Sequence, residues 1–327
     1  MSDAVRARDF DDQQFKAQAA YAAGKLWQLR DGQTGYLKGL SAVALNDTAR
    51  FESSGMVTVP KTTGIAVLDG GHVYWDRVNS LAHFKRINSG ANNRDFYLGR
   101  AVGDALTTDQ SLTVNLNVPG RRPHFYDYDL GRDPFTTAII KTAGVPALNP
   151  RGGWDFVLDT ANEAQKVDAL GNDGFAPGAK SIIEMGVTVV NGGSASNAQL
   201  FVGIASGTHA TTLTSITQLI GILLTGNSTA IQFLSQDGTN TTAATSSTKT
   251  YTASTRFEIW IDLRNPAAAA LYVDGVPVLT GTAFNVSAAA LAWKLLVWCA
   301  KSANATPFEA YVDWLNVRNA EQSVNGV

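Results

Sequence analysis

The chain has 327 residues, of which 45% are apolar and 17% charged, and a net charge of −2. That length and apolar content fit two ordinary folded domains and exclude a disordered chain, and the charge balance excludes a nucleic-acid groove spread over the whole surface. The single cysteine, Cys299, excludes an internal disulfide; set in Leu-Leu-Val-Trp-Cys-Ala, it reads as a buried small hydrophobe.

Residues 1–24 read as an N-terminal arm. The opening Met-Ser-Asp-Ala-Val-Arg lacks the apolar core of a secretory leader. Asp11 and Asp12 are placed to start a short helix through Gln13–Ala23, with Phe15 its one large apolar side chain before Tyr21. So thin a face predicts either a flexible tail or a segment ordered against a neighbouring subunit.

Residues 25–118 read as a small all-β domain, barrel or sandwich. Strands are expected at Lys25–Arg30, Leu40–Leu45, Ala49–Phe51, Met56–Val59, Ile65–Leu68, Val73–Trp75, Ala82–Ile87, Phe96–Val102 and Leu112–Val118. Turn chemistry such as Ser-Ser-Gly and Asp-Gly-Gly separates them. Residues 119–153 hold five of the ten prolines and interleave aromatic and acidic side chains in His124–Asp129. They read as an ordered linker crossing protein surface. Arg121, Arg122, Phe125, Tyr126 and Tyr128 are its candidate contact residues, and Phe15 is that of the arm.

Residues 154–327 read as a second all-β domain, a two-sheet antiparallel jelly roll. Its charges are sparse: residues 145–327 carry only 9 basic and 13 acidic side chains among many Thr, Ser, Ala, Asn and Gly. Strands are expected at Trp154–Leu158, Ser181–Val190, Leu200–Ala205, Ile216–Leu224, Ile231–Leu234, Trp293–Trp298 and Ala310–Val317, with Thr239–Thr250 a low-complexity loop. The clearest stretch is Thr255–Thr280. Phe257, Ile259, Ile261 and Leu263 alternate there with Glu258, Trp260 and Asp262, and Asp274-Gly275 signals a hairpin between two further strands. Glu258, Trp260 and Asp262 form an outward face and a candidate subunit contact. The apolar runs around Leu219–Leu224 and Ala288–Ala300 are too short or interrupted to span a bilayer, so no membrane partner is expected.

No catalytic, metal or cofactor signature is present. His72, His83, His124 and His209 are scattered, with no second ligand at helical spacing. Asp127, Asp129 and Asp133 lack the glycine and closing glutamate of a calcium loop. Glu258 and Asp262 lie about 13 Å apart along a strand, beyond the reach of a glycosidase pair. Asn172-Asp173 and Asp237-Gly238 are explained as turns. Trp154, Trp260, Trp293, Trp298 and Trp314 are expected in a core or an interface before a sugar platform.

Two resemblances follow from particular motifs. Residues 33–117 resemble the tailed-bacteriophage capsid cement or decoration proteins. The carriers are Val57–Lys61 (Val-Thr-Val-Pro-Lys), Gly70–Asp76 (Gly-Gly-His-Val-Tyr-Trp-Asp), Gly99–Val102 and a closing strand at Thr113–Asn117. Arg-Phe-Glu-Ile-Trp-Ile-Asp-Leu, Leu-Tyr-Val-Asp-Gly-Val-Pro-Val and a late Tyr-Val-Asp-Trp-Leu-Asn-Val-Arg resemble the concanavalin A-like or laminin-G-like jelly roll. Together they imply a non-enzymatic virion protein on the outer surface of the capsid, made in the host cytoplasm. Its implied partners are the major capsid protein, whose subunits it would bridge, and copies of itself, a trimer being favoured; neither nucleic acid nor membrane is among them. The alternative is a lectin-like carbohydrate-binding module displayed on the virion, with a host-surface glycan as partner.

Overall fold

The computed structural model describes residues 12–16, 20, 25–29, 32–37, 42–87, 94–118, 128–129, 135–140, 146–148, 153–172, 174–175, 181–194, 196–207 and 209–319; of 12–16, 128–129, 148 and 319 it describes the backbone alone. The chain divides into two compact units, Met1–Arg122 and Pro123–Val327. Both are built from antiparallel sheet, and neither closes into a barrel among the described strands.

The first unit contains β1 (Asp12–Lys16), β2 (Leu26–Gln28), β3 (Thr34–Leu37), β4 (Thr48–Glu52), β5 (Met56–Pro60), β6 (His72–Asp76), β7 (Leu81–His83), β8 (Phe96–Val102) and β9 (Ser111–Leu116). A four-stranded sheet runs β1-β4-β3-β2, and a five-stranded sheet runs β5-β9-β8-β6-β7. The helix expected from Gln13 is not formed over the described residues. Residues 12–16 instead extend along β4, Phe15 opposite Ala49. A helix with one large apolar side chain buries too little to hold itself, whereas a ladder satisfies the backbone directly.

The two sheets of this unit are tied by Asn117, a left-handed residue (φ 71° is seen at Asn46 and 55° here). Its side-chain amide imitates a strand: Oδ1 accepts from Thr34 N at 2.8 Å, and Nδ2 donates to Thr34 O at 2.7 Å and Ser53 O at 2.5 Å. The Thr34 hydroxyl donates to Tyr97 O.

Ile65–Leu68 is not a strand. Ala66, Val67 and Leu68 are buried, but the segment is held by single bonds between Val67 and Ala105 in place of a ladder. The lysine of the Val-Thr-Val-Pro-Lys step organises it. Lys61 is 2% exposed, and its ammonium donates to Thr62 O (2.8 Å) and Ile65 O (2.6 Å). Burial lowers its pKa, and Asp109 works against that. Lys61→Met should cost about 1–3 kcal/mol, because two carbonyls lose their buried donor. The denaturant midpoint should fall with the m-value unchanged.

The second unit contains β10 (Tyr128–Asp129), β11 (Phe135–Ile140), β12 (Ala147–Leu148), β13 (Trp154–Leu158), β14 (Glu163–Gly171), β15 (Ser181–Asn191), β16 (Gln199–Ala205), β17 (Gln218–Thr225), β18 (Ala230–Asp237), β19 (Thr241–Thr250), β20 (Phe257–Asp262), β21 (Ala270–Val273), β22 (Val276–Val278), β23 (Lys294–Asn304) and β24 (Phe308–Asn319). One sheet runs β12-β13-β24-β15-β20-β21-β22, with β10 also on β24; the other runs β11-β14-β23-β16-β17-β18-β19. The core between them takes alternate residues of both sheets, including Ile183, Met185, Val187 and Val189 of β15, Phe257, Ile259 and Ile261 of β20, and Val202 and Ile204 of β16.

The hairpin at Asp274-Gly275 forms as its sequence predicts, both residues having positive φ (49° and 76°). Cys299 is fully buried in the core, and that burial pushes its thiol well above the usual range. Two expectations change. Thr239–Thr250 is largely the strand β19, the last of its sheet, not a loop. Most of it is exposed, so no apolar alternation marks it, and β-branched threonine suits an edge position. Residues 128–129, 135–140 and 147–148, inside the proline-rich segment, are strands paired to the second unit's sheets; none of the segment's five prolines falls within them.

Candidate functional site

In the sheet holding β15, β20 and β24, residues that alternate with the core positions form a second, outer face. β13 contributes Asp155 and Val157; β15 contributes Glu184, Gly186 and Thr188. β20 contributes Glu258, Trp260 and Asp262, and β24 contributes Glu309, Tyr311, Asp313, Trp314, Asn316 and Arg318. A bulge in β24, where Gly186 opposes Trp314 and Val187 opposes Val312, turns Asp313 and Trp314 to the same side.

This face has a buried half. Arg318 Nε donates to Glu184 Oε1 at 2.7 Å, and the two side chains are 5% and 7% exposed. Arg264 grips Asp262 through Nε and Nη2, at 2.5 Å for the closest contact. Trp260 packs on Tyr272, ring centres 6.0 Å apart. Glu258 bonds weakly to Arg256 at 3.7 Å. Trp260 and Asp262 are therefore buried within the chain and Glu258 is nearly so, which corrects the expectation of an open outward face at these three residues. Their alternation did report the side opposite the core; it did not report that this side is closed to solvent.

The other half is more open. Asp155 and Glu309 project from neighbouring strands as diagonal partners, flanked by half-exposed Val157 and Tyr311. Partial burial, and then the nearby Glu309 carboxylate, push the Asp155 pKa up to about 6. Asp155 Oδ1 is enclosed and accepts no hydrogen bond from the described residues. Thr188 donates to Asp313 Oδ2 at 3.1 Å. Beside them the Trp314 indole lies flat on the strand at Gly186, where a Cβ would sit 2.6 Å from the ring, and the Arg256 guanidinium covers the indole at 4.7 Å.

Asp155 also sets a pH dependence. Its folded pKa is raised, so the folded chain keeps a proton that the unfolded chain releases between about pH 4 and 6. The ionised carboxylate therefore destabilises above that window and ceases to do so below it. Asp155→Asn should raise stability by about 1 kcal/mol near pH 7.5, a figure discounted for partial exposure, and leave it unchanged near pH 4. Thermal melts at the two pH values check this.

The other candidates fall as follows. Arg121, Arg122, Phe125 and Tyr126 lie outside the described residues, as do Asp127, Asp133, His124 and Asp173. Phe15 and Tyr128 are placed only through their backbones, opposite Ala49 and Val317. Asp237 is structural: it accepts from Thr239 N, Asn240 N, Asn240 Nδ2 and Ala288 N, holding its turn. Trp293, Trp298 and Trp260 are buried, and Trp154 packs edge-on against Phe135. Among the described residues no cluster of three or more His, Cys, Asp or Glu side chains is arranged to hold a metal ion. The Asp155–Glu309 pair escapes a reading of local spacing because it depends on the first and last long strands of the unit lying side by side.

No protein-family model matches the chain, and no curated protein matches it. Among solved structures it is similar to the Emp47p carbohydrate recognition domain (16% identity over 61% of this chain and 96% of that one, TM-score 0.43). It is also similar to a structure from work on endo-acting O-glycanases of human gut microbiota (12%, 59% and 99%, TM-score 0.40) and to a family 7 alginate lyase, A1-II′, in complex with product (9%, 54% and 84%, TM-score 0.40). Likeness at this level fixes neither ligand nor chemistry.

Proposed function

We propose that the second unit binds carbohydrate on the open half of its outer face, around Asp155, Glu309, Tyr311 and Val157. The observation that carries this reading is the strip itself: two half-buried carboxylates set beside a half-exposed aromatic ring on adjoining strands of one sheet. Carboxylates accept from sugar hydroxyls, and a tyrosine ring offers an apolar face to the C–H side of a pyranose. Placement on strands holds these groups without a cost in loop ordering. The test is a glycan array followed by calorimetry on each hit. Tyr311→Ala and Glu309→Gln should each weaken binding at least about tenfold, or about 1.4 kcal/mol. An array without hits, or hits indifferent to both substitutions, overturns the reading.

A second reading concerns the first unit. The cement-protein motif residues gather in one five-stranded sheet: Val57–Pro60 in β5, His72–Asp76 in β6, Gly99–Val102 in β8 and Thr113–Leu116 in β9. The sequence resemblance alone favours a capsid-decoration role here, in which the protein would bind the assembled head, bridge major capsid protein subunits as a trimer, and stabilise the shell by mass action. Mixing the protein with expanded, undecorated capsids should give saturable binding at fixed stoichiometry; absence of binding rejects it. The two readings are compatible, one for each unit.

A further inference from the structure

The second unit carries another polar constellation, on the outer face of the sheet that holds β14. Asp168 is fully buried there. Its Oδ1 lies 2.6 Å from His209 Nδ1 and accepts from Ala138 N at 2.8 Å; its Oδ2 accepts from the Lys166 ammonium at 2.6 Å. On the far side of the imidazole, Nε2 lies 2.8 Å from the hydroxyl of Thr136, on the exposed edge strand β11. The His209 side chain keeps 30% of its exposure.

The tautomer follows from these contacts. A carboxylate can only accept, so Nδ1 carries a proton and donates it to Asp168. In the neutral ring Nε2 is then bare and accepts the Thr136 O–H. The alternative acceptor for that hydroxyl, Leu170 O, is distant at 3.5 Å. The loop bearing His209 is fixed in turn: Lys166 and the Trp298 indole both donate to Ala210 O, at 3.1 and 3.2 Å. Carboxylate, imidazole and hydroxyl thus stand in the order used by hydrolases with an activated alcohol.

We propose that Thr136, His209 and Asp168 form an acyl-transfer site that hydrolyses a small O-acyl ester. Thr136 Oγ1 bonds to the acyl carbon as His209 Nε2 takes its proton. The tetrahedral adduct then expels the alcohol, which leaves with that proton. A water attacks the threonyl ester, gives a proton to Nε2, and releases the carboxylic acid as Thr136 recovers its hydrogen. β11 ends its sheet among the described strands, and the outward-facing N–H groups of that edge, other than Ala138 N, are the donors that would serve the oxyanion. The methyl group of a secondary alcohol crowds the attack, which favours a small acyl group such as acetyl. This activity is independent of the carbohydrate reading.

The full-length protein would be assayed with p-nitrophenyl acetate and labelled with a fluorophosphonate, the adduct being located by peptide mass spectrometry. Thr136→Val, isosteric and exposed, and His209→Gln should each lower kcat/KM at least about 100-fold. Thr136→Ser should retain or exceed the original rate, and the label should map to Thr136. Melting curves establish that each variant is folded. Equal hydrolysis by the original protein and folded Thr136→Val, a label elsewhere, or no hydrolysis and no label at all overturns the proposal.

Discussion

Replacing Arg318 by methionine should lower stability by about 3–5 kcal/mol, the largest loss expected from any single side chain of the outer face. Arg318 and Glu184 are only 5% and 7% exposed and meet at 2.7 Å. Removing the guanidinium takes the positive charge away from a buried carboxylate where water has little access. The penalty comes from the uncompensated charge more than from the pair itself. The double variant Arg318→Met, Glu184→Met should therefore recover most of the loss, since it removes the buried carboxylate together with its guanidinium. Urea denaturation of the original protein, the two single variants and the double variant measures the coupling. If the double variant is as unstable as Arg318→Met, the pair does not hold this face together in the way described.

That ion pair also shows where the sequence is readable. Ile183, Met185, Val187 and Val189 mark one side of β15 by simple alternation, and the structure buries all four. The same alternation makes Glu184 polar and outward, yet Glu184 is buried: period two distinguishes the two sides of a strand and does not say whether the side away from the core meets solvent. β14 is concealed for the same reason. Lys166 and Asp168 occupy its middle, and charge in mid-strand argues against a buried strand until Lys166 is seen to neutralise Asp168 at 2.6 Å.

Local chemistry was readable where it was self-contained. The Asp274-Gly275 turn and the three strands around it need only their own residues. The constellations with chemical potential are of the opposite kind. Asp155 with Glu309 requires β13 beside β24, and Thr136 with Asp168 and His209 requires β11, β14 and a distant loop. Neither is encoded in any short spacing.

Gly99→Ala should be the most damaging single substitution in the first unit, at about 3–4 kcal/mol or more. Gly99 belongs to the Gly-x-Ala-Val step and lies where β8 bulges against β6: Val73 pairs with Gly99, but Tyr74 pairs with Tyr97. Its φ is +153°, and a Cβ there would stand 1.9 Å from Asn115 O and 3.1 Å from Asn117 N. Those are backbone atoms of β9 and of the residue that closes it, so no side chain can swing aside. The ladder must move, and with it Asn117, whose amide ties the five-stranded sheet to Thr34 and Ser53. The damage should be local in origin. Hydrogen exchange should show β6, β8 and β9 losing protection while β15, β23 and β24 keep theirs, because their core lies within the other unit. Gly55→Ala is the control: its φ of +94° imposes backbone strain, but no atom lies within 4 Å of the added carbon, so its cost should stay near 1 kcal/mol. Comparable losses at the two positions would mean that backbone strain, not the closeness of β9, makes Gly99 necessary.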